Sequence, residues 1–187
     1  LAVLSIPNIH GVLFIDELTN LQRDDQIAMF YSITLEKEAG WMIKFSKNIK
    51  IVGAGNPPEW SEIVRPLPKP MRGGRLTFID TDPPTVDEWG SYMNNVYRDA
   101  WEKLTFAYLK LYPEDFIKPP SDDDFSAFPT PRSWTLLSLK LYELRNDGVN
   151  YSNDEFVEAV VIGTLGKEVG SKFLGLLWSK VDIPKVL

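Results

Sequence analysis

The stretch that most constrains the fold is "VLFI", residues 12–15, a wholly apolar run of β-formers that ends abruptly in Asp16 and Glu17. A run without polar alternation suits a strand of a parallel sheet covered on both faces. A second, mainly apolar strand is expected over 49–54 in "NIKIVGAGN", and "RLTFID", 75–80, reads as a third short strand. Between the first two, the spacing of Ile27, Phe30, Tyr31 and Leu35 predicts a helix over about 21–38, closed by Gly40. Alternation over 41–46 predicts a hairpin arm, and Pro57, Pro58, Pro66, Pro68 and Pro70 predict a mostly irregular segment after it.

Beyond residue 84 the character changes. "TVDE", 85–88, has the form of a capping box and opens an amphipathic stretch to about Leu111. "PPSDDD" reads as a solvated connector, its Asp122, Asp123 and Asp124 a charge run rather than a metal cluster. In "TPRSW", Thr130 suits an N-cap and Pro131 the first helical position of a helix to about Arg145. "SNDE", 152–155, reads as another capping box, for a helix ending near Gly163 or Gly166, and a last helix is expected over 169–180. The organisation expected is therefore an α/β part, 1–84, followed by an all-helical part, 85–187.

Composition narrows the chemistry. The 187 residues carry a net charge of −6, which weighs against nucleic acid as the partner. There is no cysteine, so disulfides, thiolate nucleophiles and cysteine metal sites are excluded, and a single histidine, His10, excludes multi-histidine metal sites. No run approaches the roughly 20 apolar residues of a membrane helix, and the first residues lack the basic leader of a signal peptide. A cytoplasmic location is the expectation. The first residue is Leu1, from which a preceding segment is expected.

Four places carry candidate chemistry, each with a plainer alternative. Asp16 and Glu17 would lie beyond the carboxyl end of a parallel strand, where ligands collect, and two carboxylates there suit a magnesium ion and an attacking water. They equally suit a strand that simply ends in polar residues. Asn56 ends the second strand, where its amide can hold a water, or it is a turn residue before two prolines. Arg72 and Arg75 flank two glycines and supply guanidinium groups suited to phosphoryl charge, or they are surface residues of a turn. Arg132 falls in the first turn of a helix, an electrostatically poor place for a cation unless an anion meets it. "GTLGKEVGSK", 163–172, lacks the Gly-x-x-x-x-Gly-Lys-Ser/Thr spacing of a phosphate-binding loop.

Taken in order, the strand ending in Asp16-Glu17, the hairpin, the strand leading to Asn56, the arginine turn, the third strand and the helical half with "TPRSW" resemble an AAA+ ATPase, and more narrowly the MoxR-like branch. The resemblance runs over nearly the whole chain and covers the C-terminal two-thirds of such a module. It implies a P-loop NTPase-type core with a parallel sheet, followed by an all-α lid. It implies ATP and Mg2+ as substrate and cofactor. "VLFIDE" is similar to a Walker B strand, with Asp16 for the metal and Glu17 as the catalytic carboxylate. Asn56 matches sensor 1, Arg132 matches sensor 2, and Arg75, or else Arg72, matches the arginine finger. The 36–50 region resembles the hairpin that precedes sensor 1 in this branch. A ring, expected as a hexamer, that remodels a protein partner in the manner of a molecular chaperone follows from the same resemblance, with a partner carrying a von Willebrand factor A-type domain.

Three features depart from the family pattern. "GAGN" stands where an alanine-threonine version is usual, and "RGGRL" where an acidic residue, arginine and phenylalanine are common. No Walker A loop lies within the 187 residues. In such folds its strand lies between the strand leading to Asn56 and that at 75–80, so the 187 residues are expected to omit an N-terminal part. Two other functions compete with ATP hydrolysis: a non-hydrolysing scaffold or regulatory subunit, and a DNA-handling motor using Lys44, Lys47 and Lys50.

Overall fold

A computed structural model of the chain describes residues 2–21, 23–40, 43–57, 64, 66–119, 126–152 and 154–179. It is a mixed α/β structure, mostly helical, and it divides into two compact units, Leu1–Asp80 and Thr81–Leu187. No helix among the described residues is long and apolar enough to cross a membrane.

The first unit contains β1 (Gly11–Ile15), α1 (Asp24–Tyr31), β2 (Glu38–Ala39), β3 (Ile43–Lys44), β4 (Ile49–Gly53) and α2 (Lys69–Arg72). The two apolar runs form β1 and β4, which pair in parallel from Gly11 opposite Ile49 to Ile15 opposite Gly53. The ladder runs on past both strands: Ala54 N–H donates to the Ile15 carbonyl at 2.9 Å and Leu18 N–H to the Ala54 carbonyl at 2.7 Å. One face of this pair is covered. Leu13 and Ile15 are half-buried and Ile49 is buried, whereas Val12, Phe14 and Val52 on the other strand positions are exposed. Leu18, Phe30, Leu67 and Met71 form a small core beside the strand ends, with Ile15, Leu21, Tyr31 and Leu76 packed against it.

Several elements differ from expectation. The third strand at 75–80 does not form, and Phe78 and Ile79 are 55% and 81% exposed. A strand needs the N–H and C=O groups of a neighbour, and no described residue offers them to this segment. The helix expected over 21–38 starts at Asp24, keeps α geometry to Tyr31 and widens into a π turn over 32–36. There Thr34 Oγ1 donates to the Phe30 carbonyl at 2.7 Å, a side-chain claim on the backbone that loosens a helix. The hairpin forms, with β2 and β3 antiparallel and Glu38 opposite Lys44. Residues 41 and 42 of its expected arm lie outside the described residues.

The second unit is all helix: α3 (Val86–Tyr97), α4 (Leu104–Leu111), α5 (Pro131–Asn146), α6 (Glu155–Leu165) and α7 (Lys167–Trp178). The Thr85–Glu88 capping box is present, with Glu88 N–H donating to Thr85 Oγ1 at 3.2 Å and Thr85 N–H to Glu88 Oε2 at 2.8 Å. Thr130 caps α5 in the same way, through Ser133. The amphipathic stretch to Leu111 is two helices, because Arg98, at φ 52° and ψ −110°, leaves helical geometry and ends α3. The cap of α6 is Asp154 rather than Ser152: its Oδ1 accepts from Phe156 N–H and Val157 N–H at 2.9 and 3.1 Å. "GTLGKEVGSK" is the junction of α6 and α7, with Gly166 at φ 78° between them and no strand leading in. The connector at 120–125 lies outside the described residues.

The helices close on an aromatic core in which Tyr108, Trp134 and Phe173 pack ring to ring. Two carboxylates are buried in it, and both are held. Asp115, fully buried, accepts from Tyr108 Oη at 2.6 Å and lies 3.4 Å from Lys172 Nζ. Glu102 lies 2.6 Å from Arg145 Nη2 and accepts from Leu104 N–H at 3.1 Å. Each charge keeps a half-exposed cation, which a buried carboxylate requires.

Burial, and after it the hydrogen bond to Asp115, push the Tyr108 phenol above its usual 10. A group whose folded pKa is raised contributes its full stability below the unfolded value and loses it as pH rises towards the folded one. Urea midpoints of the chain should therefore fall as pH rises beyond about 10. Tyr108→Phe should lower the midpoint near neutrality, by about 1–3 kcal/mol for a buried charge short of a donor, and make the alkaline fall shallower. Parallel alkaline slopes for both proteins would contradict this account.

Candidate functional site

Parallel pairing brings the carboxyl ends of β1 and β4 side by side, and the residues that follow them meet. Glu17 Oε2 accepts from Asn56 Nδ2 at 3.3 Å, although the two residues are 39 apart in the chain. The same oxygen accepts from Asn20 Nδ2 at 2.7 Å. Two neutral amides thus converge on one carboxylate oxygen, while Glu17 Oε1 has no hydrogen bond among the described residues. Asp16 lies beside them, its Oδ1 accepting from Glu17 N–H at 2.9 Å. Asp16, Glu17 and Asn56 are all exposed.

The local backbone is bent to achieve this. Glu17 sits at φ 54°, ψ 37°, in the left-handed region, which costs a side-chain-bearing residue roughly 1–2 kcal/mol. The turn that follows, a 3-10 segment over Leu18–Asn20, is anchored by the buried Leu18 side chain. Thr19 Oγ1 accepts from Asn56 N–H and donates to the Asn56 carbonyl, both at 3.1 Å. The glycines of "GAGN" follow from this close approach. A Cβ at Gly53 would come within 2.5 Å of the Leu18 side chain, and one at Gly55 within 2.6 Å of Thr19 Oγ1.

The arginines are placed differently. Arg72 closes α2, Arg75 follows in the turn, and Arg132 occupies the second position of α5. All three are exposed, and none forms an ion pair among the described residues. Arg132 belongs to the helical unit, the other site residues to the α/β unit. Lys44 is spoken for by Glu38 at 2.9 Å. His10 precedes β1 in a loop, 3.3 Å from Asn48 Nδ2.

Thr19 and Asn20 were not among the residues singled out by sequence. The available signal is the polar pair in "DELTN", separated from the strand's carboxylates only by Leu18.

As for ligands, no group of three or more histidine and carboxylate residues among the described ones is arranged to hold a metal by itself. Magnesium does not need one, since it commonly takes one or two protein carboxylates, with phosphates and waters as the rest. Asp16, exposed at a strand end, fits that role. The arrangement can orient a water beside Glu17 and hold it with the Asn56 amide. The chain matches no family model, and no curated protein or solved structure is similar to it at a significant level.

Glu17 gives a stability readout free of any ligand. Glu17→Gly removes the left-handed strain and should raise the urea midpoint by the equivalent of about 0.5–1 kcal/mol. Glu17→Val, branched at Cβ, should lower it. A destabilised Glu17→Gly protein would show that the carboxylate's two amide bonds outweigh the strain.

Proposed function

We propose that the chain is the Walker B-to-lid part of an AAA+ ATPase of the MoxR-like type, hydrolysing ATP within a ring that remodels a protein partner. The observation that carries this reading is the meeting of Glu17 and Asn56 across adjacent parallel strands, the region where ligands collect in open α/β sheets. In this reading Asp16 holds Mg2+, which neutralises phosphate charge when bound. Glu17 Oε1 accepts the proton of the attacking water, while the Asn20 and Asn56 amides fix the carboxylate through its other oxygen. The Asn56 amide keeps that water in place.

The arginines support the same reading. Arg75, or Arg72 on the same turn, is exposed and free of ion pairs among the described residues, as a group acting on a neighbouring subunit's phosphate must be. Such an arginine is worth roughly a thousand-fold or more in rate, which would make hydrolysis depend on the ring, a hexamer in this proposal. Arg132 carries its charge at the positive end of α5 with no described carboxylate to meet it, an arrangement that suits binding nucleotide phosphate. The reading requires a phosphate-binding loop from outside residues 1–187, which contain none. A cytoplasmic location and a partner with a von Willebrand factor A-type domain belong to this proposal as well.

Steady-state hydrolysis by the full-length protein tests it. Glu17→Gln should lower kcat at least a hundred-fold, about the loss of a positioned base, while ATP still binds. Unchanged turnover in the variant would remove Glu17 from the catalytic role, and absence of hydrolysis by the unsubstituted full-length protein would leave the non-hydrolysing scaffold as the better reading. Arg132→Glu should weaken ATP binding yet stabilise the protein by about 0.3–1 kcal/mol, because a carboxylate suits the start of a helix. A loss of both stability and binding would instead mark Arg132 as a structural residue.

A further inference from the structure

We propose that Thr19 is the positioning residue that holds Asn56 at the hydrolytic site, with Gly55 as its necessary complement; this rests on the nucleotide-hydrolysis reading above. Asn56 lies three residues past the end of β4, so the strand ladder does not fix it. It follows Gly55, whose missing side chain leaves the backbone loose. What holds its backbone groups is one hydroxyl. Thr19 Oγ1 takes both the N–H and the carbonyl of Asn56 at 3.1 Å, accepting from the first and donating to the second.

Thr19 can serve as a clamp because it is itself fixed. Leu18, its neighbour, is 8% exposed, and Leu18 N–H is tied to the Ala54 carbonyl at 2.7 Å. The clamp also explains the glycine before Asn56. A Cβ on Gly55 would lie 2.6 Å from Thr19 Oγ1, 2.8 Å from its Cγ2 and 3.0 Å from its backbone nitrogen. Any larger residue would force the hydroxyl away from the backbone it holds.

The turn thereby does two jobs with adjacent residues. Asn20 holds the Glu17 carboxylate, and Thr19 holds the backbone that aims the Asn56 amide at the same carboxylate. A group that aligns a water must be held to a fraction of an ångström, and a displacement near 1 Å lowers rates by up to about a hundred-fold. Asn56 is exposed, so without the clamp water would compete for both of its backbone groups.

Two comparisons on the full-length protein test the proposal. The first needs no nucleotide: hydrogen exchange of the Asn56 amide should be about five- to tenfold faster in Thr19→Val than in the parent, and unchanged in Thr19→Ser, which keeps the hydroxyl. The second is kinetic: Thr19→Val should lower kcat about ten- to a hundred-fold with KM for ATP within about twofold, and Thr19→Ser should restore kcat. Gly55→Ala, reaching the clamp from the other side, should reproduce the Thr19→Val phenotype in both readouts. Unchanged Asn56 exchange in Thr19→Val overturns the clamp. Faster exchange with unaltered kcat, or a Thr19→Ser protein as slow as Thr19→Val, overturns the positioning role. If Glu17→Gln leaves hydrolysis unchanged, the assignment of the hydrolytic site to Glu17 fails by itself, and the exchange comparison still decides whether Thr19 holds Asn56.

Discussion

The parallel register of β1 and β4 is the constraint on which the rest of the site depends. It places Ile15 opposite Gly53 and carries on through Ala54 and Leu18, so two chain segments 39 residues apart leave the sheet together. A one-residue slip would turn the inward side chains outward and separate Glu17 from Asn56. The buried Leu18 resists such a slip, because its side chain seats in the small core with Phe30, Leu67 and Met71. Packing thus fixes the register, and the register sets the site.

Around that register the structure accepts local costs. Glu17 is left-handed, and Gly53 and Gly55 surrender side chains so that the 18–20 turn can approach. Backbone held in sparsely populated conformations concentrates where function needs a side chain aimed in one direction. The helical unit is held through buried polar ties. Glu102 is met by Arg145 and Leu104, Asp115 by Tyr108 and Lys172, and the Trp134 indole by the Asp115 carbonyl. These ties orient the helices from inside the unit.

Local signals were legible from the amino acids alone. The apolar runs of β1 and β4, the Thr85–Glu88 box and the Thr130–Pro131 start need only neighbouring residues, and they form as expected. "SNDE" slipped by two because Asp154 is as good a cap as Ser152 and lies nearer the apolar run it serves. Non-local features were not legible. Residues 75–80 have strand composition, yet a strand exists only beside a partner, and Phe78 and Ile79 stay exposed. The glycines of "GAGN" looked like a departure from a family pattern. Their reason is Leu18 and Thr19, far away in sequence and in contact in space. Within the site, Asp16, Glu17 and Asn56 were visible as chemistry-bearing residues at strand ends. Thr19 and Asn20 were not, since a threonine and an asparagine in a turn are ordinary until their partners are known.

The central claim is that Glu17 and Asn56 act as one unit on one water. A double-mutant cycle of ATP hydrolysis, with Glu17→Gln, Asn56→Ala and the pair, tests it most directly. Residues that serve a single step are strongly non-additive, so the double variant should be about as slow as the slower single variant. If the two losses multiply instead, the residues act independently, and their meeting at the ends of β1 and β4 has no catalytic meaning.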